Sequence, residues 1–442
     1  GPLRPHPVAP LSTYLLLLHP FSLPVVASLL ALGACGAEGP SAHSDATGSP
    51  ERSSESPDPP RDEPVSEARV DDLSVEVLRI AYEAASMMPL RPHVKTRSRL
   101  QAETIEALLD VDGGPELVPE WADGSDGWRR GMAYGMLATH YAGAGEAEKA
   151  RTYLDVAESL EGAASGEDVQ GWRRDTIRLH IATAYLAFGD EDRVNAIHAR
   201  LGEGEAGKLS AIRSESVPVG AVDENVERLM EALPGASSDQ AHYALLSIAH
   251  FCGAVYDETE RRSELEDSIR EHWKPLTFGA RVEILAVLAK QHIAGGNPAK
   301  AIGLIDELEG YLEGFTMHPE QEVDFRADVA VMRAQAGDVP NGIATADSAL
   351  VRYEAVREKI DSTFRGRALR PLAEAYAALG ESMTANDLFE RALAEAVINP
   401  NSRPRTEDLV KTCTTIVRAG HTPTESLLEM LRGTKKDLGA PW

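Results

Sequence analysis

The sequence predicts an all-α protein, an α-solenoid of stacked helical hairpins, and three observations predict it. From about residue 70 onward, apolar residues recur at three- and four-residue spacing, as in LSVEVLRIAYEAASMM. Strand-like alternation is not evident there, and aromatic residues make up only 5% of the chain, which suits closely packed helices better than a sheet. Glycines also recur at a nearly constant interval, which indicates a repeated unit.

The recurring glycines define that unit. Six-residue windows align at seven of them, which are Gly145, Gly189, Gly253, Gly296, Gly337, Gly380 and Gly420. Successive glycines are 40 to 44 residues apart, except for 64 residues between Gly189 and Gly253. Each glycine is expected to end one helix in the left-handed conformation, and a second helix follows within a few residues. The unit is therefore a helical hairpin with a period of 40–44 residues.

Small and aromatic residues occupy fixed positions in these hairpins, and the hairpin around Gly380 has the fullest set. That set consists of Leu372, Ala373, Tyr376, Ala385, Phe389 and Ala392. This order is similar to that of the tetratricopeptide repeat family, and the similarity covers about residues 120–435. The family unit of 34 residues is shorter than the unit here. We expect residues from about 70 to 435 to form one right-handed stack of seven or eight hairpins, elongated to roughly 70–90 Å at about 9–10 Å per layer.

The amino-terminal region differs from the rest. An apolar stretch, Leu11 to Leu32, ends at Leu32-Gly33-Ala34-Cys35, which resembles a bacterial lipobox and implies lipidation of Cys35. The alternative is an ordinary signal peptide or signal anchor with an accidental cysteine. We expect a signal peptide over 1–34, a lipidated cysteine and disordered tether over 35–66, the solenoid over 67–435 and a tail over 436–442.

The charge of the chain restricts its partners. A net charge of −26 leaves no surplus of Lys and Arg to neutralise phosphates, so nucleic acid is not expected as a partner. Basic binding to anionic lipid is excluded for the same reason. An acidic array favours proteins that carry basic patches.

No motif predicts catalysis, a metal or a cofactor. The segment GEGEAGKL at 202–209 nearly spells a phosphate-binding loop, but Leu209 replaces the required hydroxyl, so a solvated loop is the better interpretation. Acidic turns at 110–114 and 122–127 lack the spacing of a calcium loop. Histidines show no zinc-ligand spacing, and Cys252 and Cys413 lie on apolar helix faces as small buried hydrophobes.

The family resemblance implies where a partner would bind. Side chains of the first helix in each hairpin would line the groove, and the charged residues at such positions are Arg367, Arg370, Glu374 and Lys290. The expected function is a membrane-anchored scaffold for other proteins in a bacterial cell envelope, facing the periplasm or the exterior, and not an enzyme. The alternative is an envelope enzyme or solute-binding lipoprotein on a helical array. A deep pocket lined by several side chains with perturbed pKa values would favour that alternative.

Overall fold

A computed structural model describes residues 67–442, apart from position 126 and the segments 165–170, 215–216 and 314–316. The described residues form 19 α-helices and no strand, which confirms the all-α prediction. The predicted signal peptide, Cys35 and the tether lie outside the described residues. None of the described helices is long and apolar enough to cross a membrane.

The helices are numbered here in chain order. The first nine are α1 Glu67–Met87, α2 Leu90–Leu108, α3 Val118–Asp123, α4 Trp128–Gly143, α5 Ala147–Ala163, α6 Gly171–Ala187, α7 Glu191–His198, α8 Glu203–Ser214 and α9 Val222–Ala232. The remaining ten are α10 Ser238–Ala254, α11 Thr259–His272, α12 Phe278–Ala294, α13 Pro298–Glu313, α14 Pro319–Gln335, α15 Val339–Val356, α16 Ser362–Ala378, α17 Ser382–Val397, α18 Ser402–Arg418 and α19 Glu425–Lys436.

Six of the seven predicted glycine caps are confirmed. A positive φ is found at Gly145, Gly189, Gly296, Gly337, Gly380 and Gly420. At Gly380, the following Glu381 N–H donates to the Tyr376 carbonyl at 2.8 Å, and the Gly380 N–H donates to the Ala377 carbonyl at 3.0 Å. This pair of bonds is the Schellman motif, which satisfies carbonyls that a helix end leaves without partners.

The prediction of a cap at Gly253 is wrong. Helix α10 runs through Gly253 to Ala254, and a positive φ is not found at Gly253. A Cβ at this position would lie 2.2 Å from Oε1 of Gln291 on α12. Glycine at this position leaves room for the end of the Gln291 side chain against α10.

The pattern residues of the Gly380 hairpin form its core. Ala373 and Tyr376 of α16 are buried with Ala385, Phe389 and Ala392 of α17. Alanine at the crossing lets the two helix axes come close together, and the aromatic rings fill the space beside them.

A polar contact recurs four residues before the capping glycine. There, a donor side chain on the first helix of a hairpin reaches a carboxylate on the second helix of the preceding one. The pairs are Tyr185–Glu158 at 2.7 Å, His292–Glu266 at 2.9 Å, Arg333–Asp306 at 2.6 Å and Tyr376–Asp347 at 2.5 Å. Each contact fixes one hairpin against the next.

The interpretation of 202–209 as a solvated loop is wrong. Residues Glu203–Ser214 form α8, which packs between α6 and α10. Gly207 permits this packing, because a Cβ there would lie 2.5 Å from the ring of Tyr243. The chain then forms α9 over Val222–Ala232.

The described helices close into a ring, whereas the sequence predicted an elongated stack. Helices α4, α6, α8, α10, α12, α14, α16 and α18 pack in this order, each against the next, and α2 packs against both α18 and α4. We call these nine helices the row helices. The surface of the row that is opposite to the remaining helices is called the inner face. Helix α1 also packs along α18, so the two ends of the described chain meet.

Apolar packing and ion pairs hold the ends together. Val77 and Ile80 of α1 belong to the same buried core as Leu409 and Cys413 of α18. Two ion pairs join α2 to α18: Arg99–Glu407 at 3.0 Å and Glu103–Lys411 at 2.9 Å. Two more join α1 to α19: Glu76–Arg432 at 2.5 Å and Glu83–Lys435 at 2.6 Å. A continuous core between terminal helices makes the closed arrangement part of the fold.

Candidate partner-binding site

The four candidate residues lie on two helices that flank a third one. Arg367, Arg370 and Glu374 belong to α16, and Lys290 belongs to α12. Helix α14 packs between α12 and α16. The structure therefore brings together residues that are up to 84 positions apart in the sequence.

Helix α14 adds two carboxylates that the sequence analysis did not single out. Pro319 stands at the first position of α14, and the Gln321 side chain accepts a hydrogen bond from the His318 N–H at 3.4 Å. Asp324 and Asp328 follow at a spacing of four residues, which places both on one side of the helix. We call Asp324, Asp328, Lys290, Arg367 and Glu374 the α14 cluster.

Arg370 serves helix packing. It is buried, and its Nη1 lies 2.7 Å from Oδ1 of Asp408 on α18. A buried ion pair of this kind is costly to break, because either partner alone would remain as an uncompensated charge. Of the four predicted residues, Arg370 is thus already engaged within the fold.

Asp324 is the least satisfied group of the cluster. Its Oδ1 has no contact with solvent and no hydrogen-bond partner among the described residues. Burial raises the pKa of Asp324 to about 7, and the nearby charges of Arg367 and Arg370 oppose this effect. The low polarity of its surroundings disfavours the charged carboxylate more than the arginines favour it.

Three more members of the cluster have shifted pKa values. Burial raises the pKa of Asp328 well above its ordinary value, and the neighbouring charges of Glu374 and Asp324 raise it further, whereas Lys290 lowers it. Burial also raises the pKa of Glu374 and lowers that of Lys290. Burial disfavours the charged form of all these groups, so they face a poorly solvated space.

Several other polar residues of the row helices are paired or neutral. Glu103 of α2 pairs with Lys411 at 2.9 Å, and Arg418 lies 3.5 Å from Glu106. On α4 and α6, the Thr139 hydroxyl donates to the Gly135 carbonyl at 3.0 Å, and the Thr183 hydroxyl donates to the Leu179 carbonyl at 2.9 Å. Burial lowers the pKa of His180 and of His250 to about 4, so both are neutral at pH 7.

Two clefts lie beside the helices that follow α6. A cleft of about 660 Å³ is lined by Tyr185, Phe188 and the acids at 190–192. One of about 480 Å³ includes His198 and Ser210, whose Nε2 and Oγ are 3.3 Å apart. Ser210 donates its proton to the Ala206 carbonyl at 2.9 Å, so this pair is not arranged as a nucleophile with its base.

The described residues offer neither a metal site nor a reactive thiol. No group of three His, Cys, Asp or Glu side chains among them is placed to hold a metal ion. Cys252 and Cys413 are both buried. Burial raises the pKa of the Cys252 thiol to about 12 and raises that of Cys413 as well, so neither is a thiolate at pH 7.

Sequence reasoning missed Asp324 and Asp328, although a positional signal exists. Asp324 and Arg367 each lie 13 residues before the capping glycine of their hairpin, Gly337 or Gly380. Lys290 and Glu374 each lie six residues before theirs, Gly296 or Gly380. A comparison of equivalent first-helix positions across all hairpins would therefore have marked Asp324.

Comparisons with known proteins give no relative of this chain. No family model matches it, and neither a curated protein nor a solved structure matches it significantly.

Proposed function

We propose that this protein is a lipid-anchored component of a bacterial cell envelope that acts by binding other proteins. The lipobox-like residues Leu32 to Cys35 and the polar segment after them support the anchor. We further propose that its hairpins are TPR-like solenoid units. The six glycine caps and the buried alanine and aromatic positions of the Gly380 hairpin support this part of the proposal.

The binding face in this proposal is the inner face at α12, α14 and α16. One observation carries it, namely that Oδ1 of Asp324 on α14 is shielded from solvent and has no hydrogen-bond partner among the described residues. Groups of this kind are costly to bury alone and are stabilised when a ligand supplies the partner. A partner with a basic segment fits both this site and the net charge of −26. The protein has no turnover and no cofactor in this scheme.

Charge reversal tests the binding face. In the native host, Asp328→Lys should abolish recovery of the partner after in-cell cross-linking and affinity purification. Asp387→Lys is the matched control, since Asp387 is an exposed carboxylate on α17, and it should leave recovery unchanged. A partner retained by Asp328→Lys and lost by Asp387→Lys would place the binding surface on the outer helices instead.

The anchor has its own test. Cys35→Ser should prevent incorporation of labelled fatty acid and release the protein from the membrane fraction. A serine variant that still acquires the label would overturn the lipid anchor at this position.

A solute-binding lipoprotein or an envelope enzyme is the second candidate. The observation that favours it is that burial raises the pKa of Asp324 to about 7 and also raises the pKa values of Asp328 and Glu374. A carboxyl group with a pKa near 7 can exchange protons at neutral pH. Turnover of a small molecule by the purified protein, abolished by Asp324→Asn, would establish this candidate over a binding protein.

A further inference from the structure

A four-residue sequence occurs twice, at the starts of two neighbouring row helices. Gly-Trp-Arg-Arg occupies positions 127–130 and again positions 171–174. The first copy leads into α4, and the second opens α6. These two helices pack against each other, so side chains of the same kind start from equivalent places on adjacent helices. We call Trp128, Arg129, Trp172 and Arg173 the Trp–Arg site.

Ring contacts connect the four side chains of the Trp–Arg site. The rings of Trp128 and Trp172 meet edge to face, with their centroids 5.4 Å apart. The guanidinium carbon of Arg129 lies 4.4 Å from the centroid of the Trp128 ring, and that of Arg173 lies 5.4 Å from the centroid of the Trp172 ring. A guanidinium group close to an aromatic face is held in place by cation–π attraction. Two positioned cations therefore lie beside one pair of contacting tryptophan rings.

The second arginine of each copy is neutralised within the fold, but the first is not. Arg130 lies 2.7 Å from Asp123, and Arg174 lies 2.6 Å from Glu161. In the part of the chain that the structure describes, the first arginine of each copy forms no ion pair within 4.0 Å. The difference between adjacent residues recurs in both copies, so it belongs to the repeated sequence and not to one exposed side chain.

The two unpaired cations have poorly solvated and positively charged surroundings. Arg173 Nε is shielded from solvent and has no hydrogen-bond partner among the described residues. Arg129 donates from Nη1 to the hydroxyl of Ser98 at 3.3 Å. Burial lowers the pKa of Arg129 to about 10, and the charges of Arg99 and Arg173 lower it further, whereas Glu103 raises it. A bound anion would offset the cost of keeping these charges together without a carboxylate.

The ends of the two helices and an exposed ring add to the attraction for an anionic ligand. Arg129 and Arg173 lie in the first turns of α4 and α6, where the helix dipole is positive. The Trp172 side chain is 48% exposed, so it offers a flat apolar surface beside the guanidinium group of Arg173. Apolar or ring atoms of a ligand can cover such a surface.

We infer that the Trp–Arg site binds a ligand with two acidic groups, one at each guanidinium group, and with an apolar part against Trp172. The planar fork of a guanidinium group matches a carboxylate or a phosphate. The acidic side chains of a protein segment and a free phosphorylated molecule both supply this chemistry. The site lies on other helices than the α14 cluster and takes the opposite charge, so the inference goes beyond the proposed function.

Calorimetric titration of the purified full chain with a peptide of glutamate and leucine residues, and separately with ADP, tests the inference. At least one probe should bind, with one molecule per chain. Arg129→Gln and Arg173→Gln should each weaken its binding about tenfold or more, because each removes a charge-assisted contact. Arg130→Gln is the matched control, since it removes the same charge one position away, and it should change the affinity less than about twofold.

Thermal unfolding with and without the probe separates binding from a structural effect. The probe should raise the melting temperature of the wild-type chain and of Arg130→Gln, because it binds only the folded state. It should not raise that of Arg129→Gln or of Arg173→Gln. The comparison is made within each variant, so a variant of lower intrinsic stability still gives an answer.

The outcomes distinguish the ligand and can overturn the site. Binding of the peptide alone identifies an acidic protein segment as the ligand, binding of ADP alone identifies a phosphorylated molecule, and binding of both supports the shared chemistry. The inference is overturned if neither probe binds, if two molecules bind per chain, or if Arg130→Gln loses as much affinity as Arg173→Gln. Partner recovery with Asp328→Lys tests the proposed function separately, because Asp328 is not part of this site.

Discussion

Replacing Asp324 by asparagine should stabilise the protein at alkaline pH. The carboxylate has a pKa of about 7 in the folded chain against an ordinary value of 3.8. Between these values, the folded chain holds a proton that the unfolded chain has lost, so stability falls as the pH rises. Each pH unit corresponds to about 1.4 kcal/mol, which sets a ceiling of about 4 kcal/mol above pH 7.

The side chain retains part of its solvent contact, so we expect about half of that ceiling, ~2 kcal/mol of added stability for Asp324→Asn at pH 8. The gain should shrink as the pH falls toward 4 and vanish below about pH 3, where the carboxyl is protonated in both states. Urea denaturation at pH 4.5, 6 and 8 measures the difference, with Asp387→Asn as an exposed control. A variant that is neutral or less stable at pH 8, or whose effect does not change with pH, would refute the reasoning.

Three further predictions concern the fold. Gly380→Ala should lower the free energy of unfolding by about 1–2 kcal/mol, because alanine disfavours the left-handed conformation. Gly303→Ala, at a helical position with open space around it, should raise it by about 0.5–1 kcal/mol. Urea denaturation midpoints measure both changes. Cys252 and Cys413 should react with a thiol reagent only after unfolding, and fast labelling of the native chain would contradict their burial. Tyr376→Phe removes the hydrogen bond to a carboxylate on α15 and should cost about 1–3 kcal/mol in thermal unfolding, so an unchanged transition would show that this contact is dispensable.

Local chemistry made the hairpins predictable from the sequence. A glycine that must adopt a positive φ can be recognised by its place between two apolar helical patterns, as Gly145 and Gly380 show. Gly253 has similar sequence surroundings, but glycine occurs there for a different reason: it leaves room for the Gln291 side chain of another helix. Sequence alone cannot separate these two uses of glycine, because the second depends on a tertiary contact.

The candidate site was predictable only in part, and for a related reason. Arg367, Glu374 and Lys290 were found because they occupy first-helix positions of recognisable hairpins. Asp324 and Asp328 resemble any pair of acids on a solvated helix, and 70 acids in the chain make such pairs common. Their raised pKa values come from the helices around them, which no local pattern reveals.

Closure of the helix row connects the fold to the site. The contact of Arg99 with Glu407 spans 308 residues, so the complementarity of the two ends cannot be seen in any single hairpin. Closure of the ring also determines which carboxylates lie near Arg418. Arg418 of α18 lies near Glu374 of α16, yet it forms its ion pair with Glu106 of α2 at 3.5 Å. By joining α2 to α18, the ring places the carboxylate of Glu106 beside Arg418, so the charge of this cation acts on both Glu106 and Glu374.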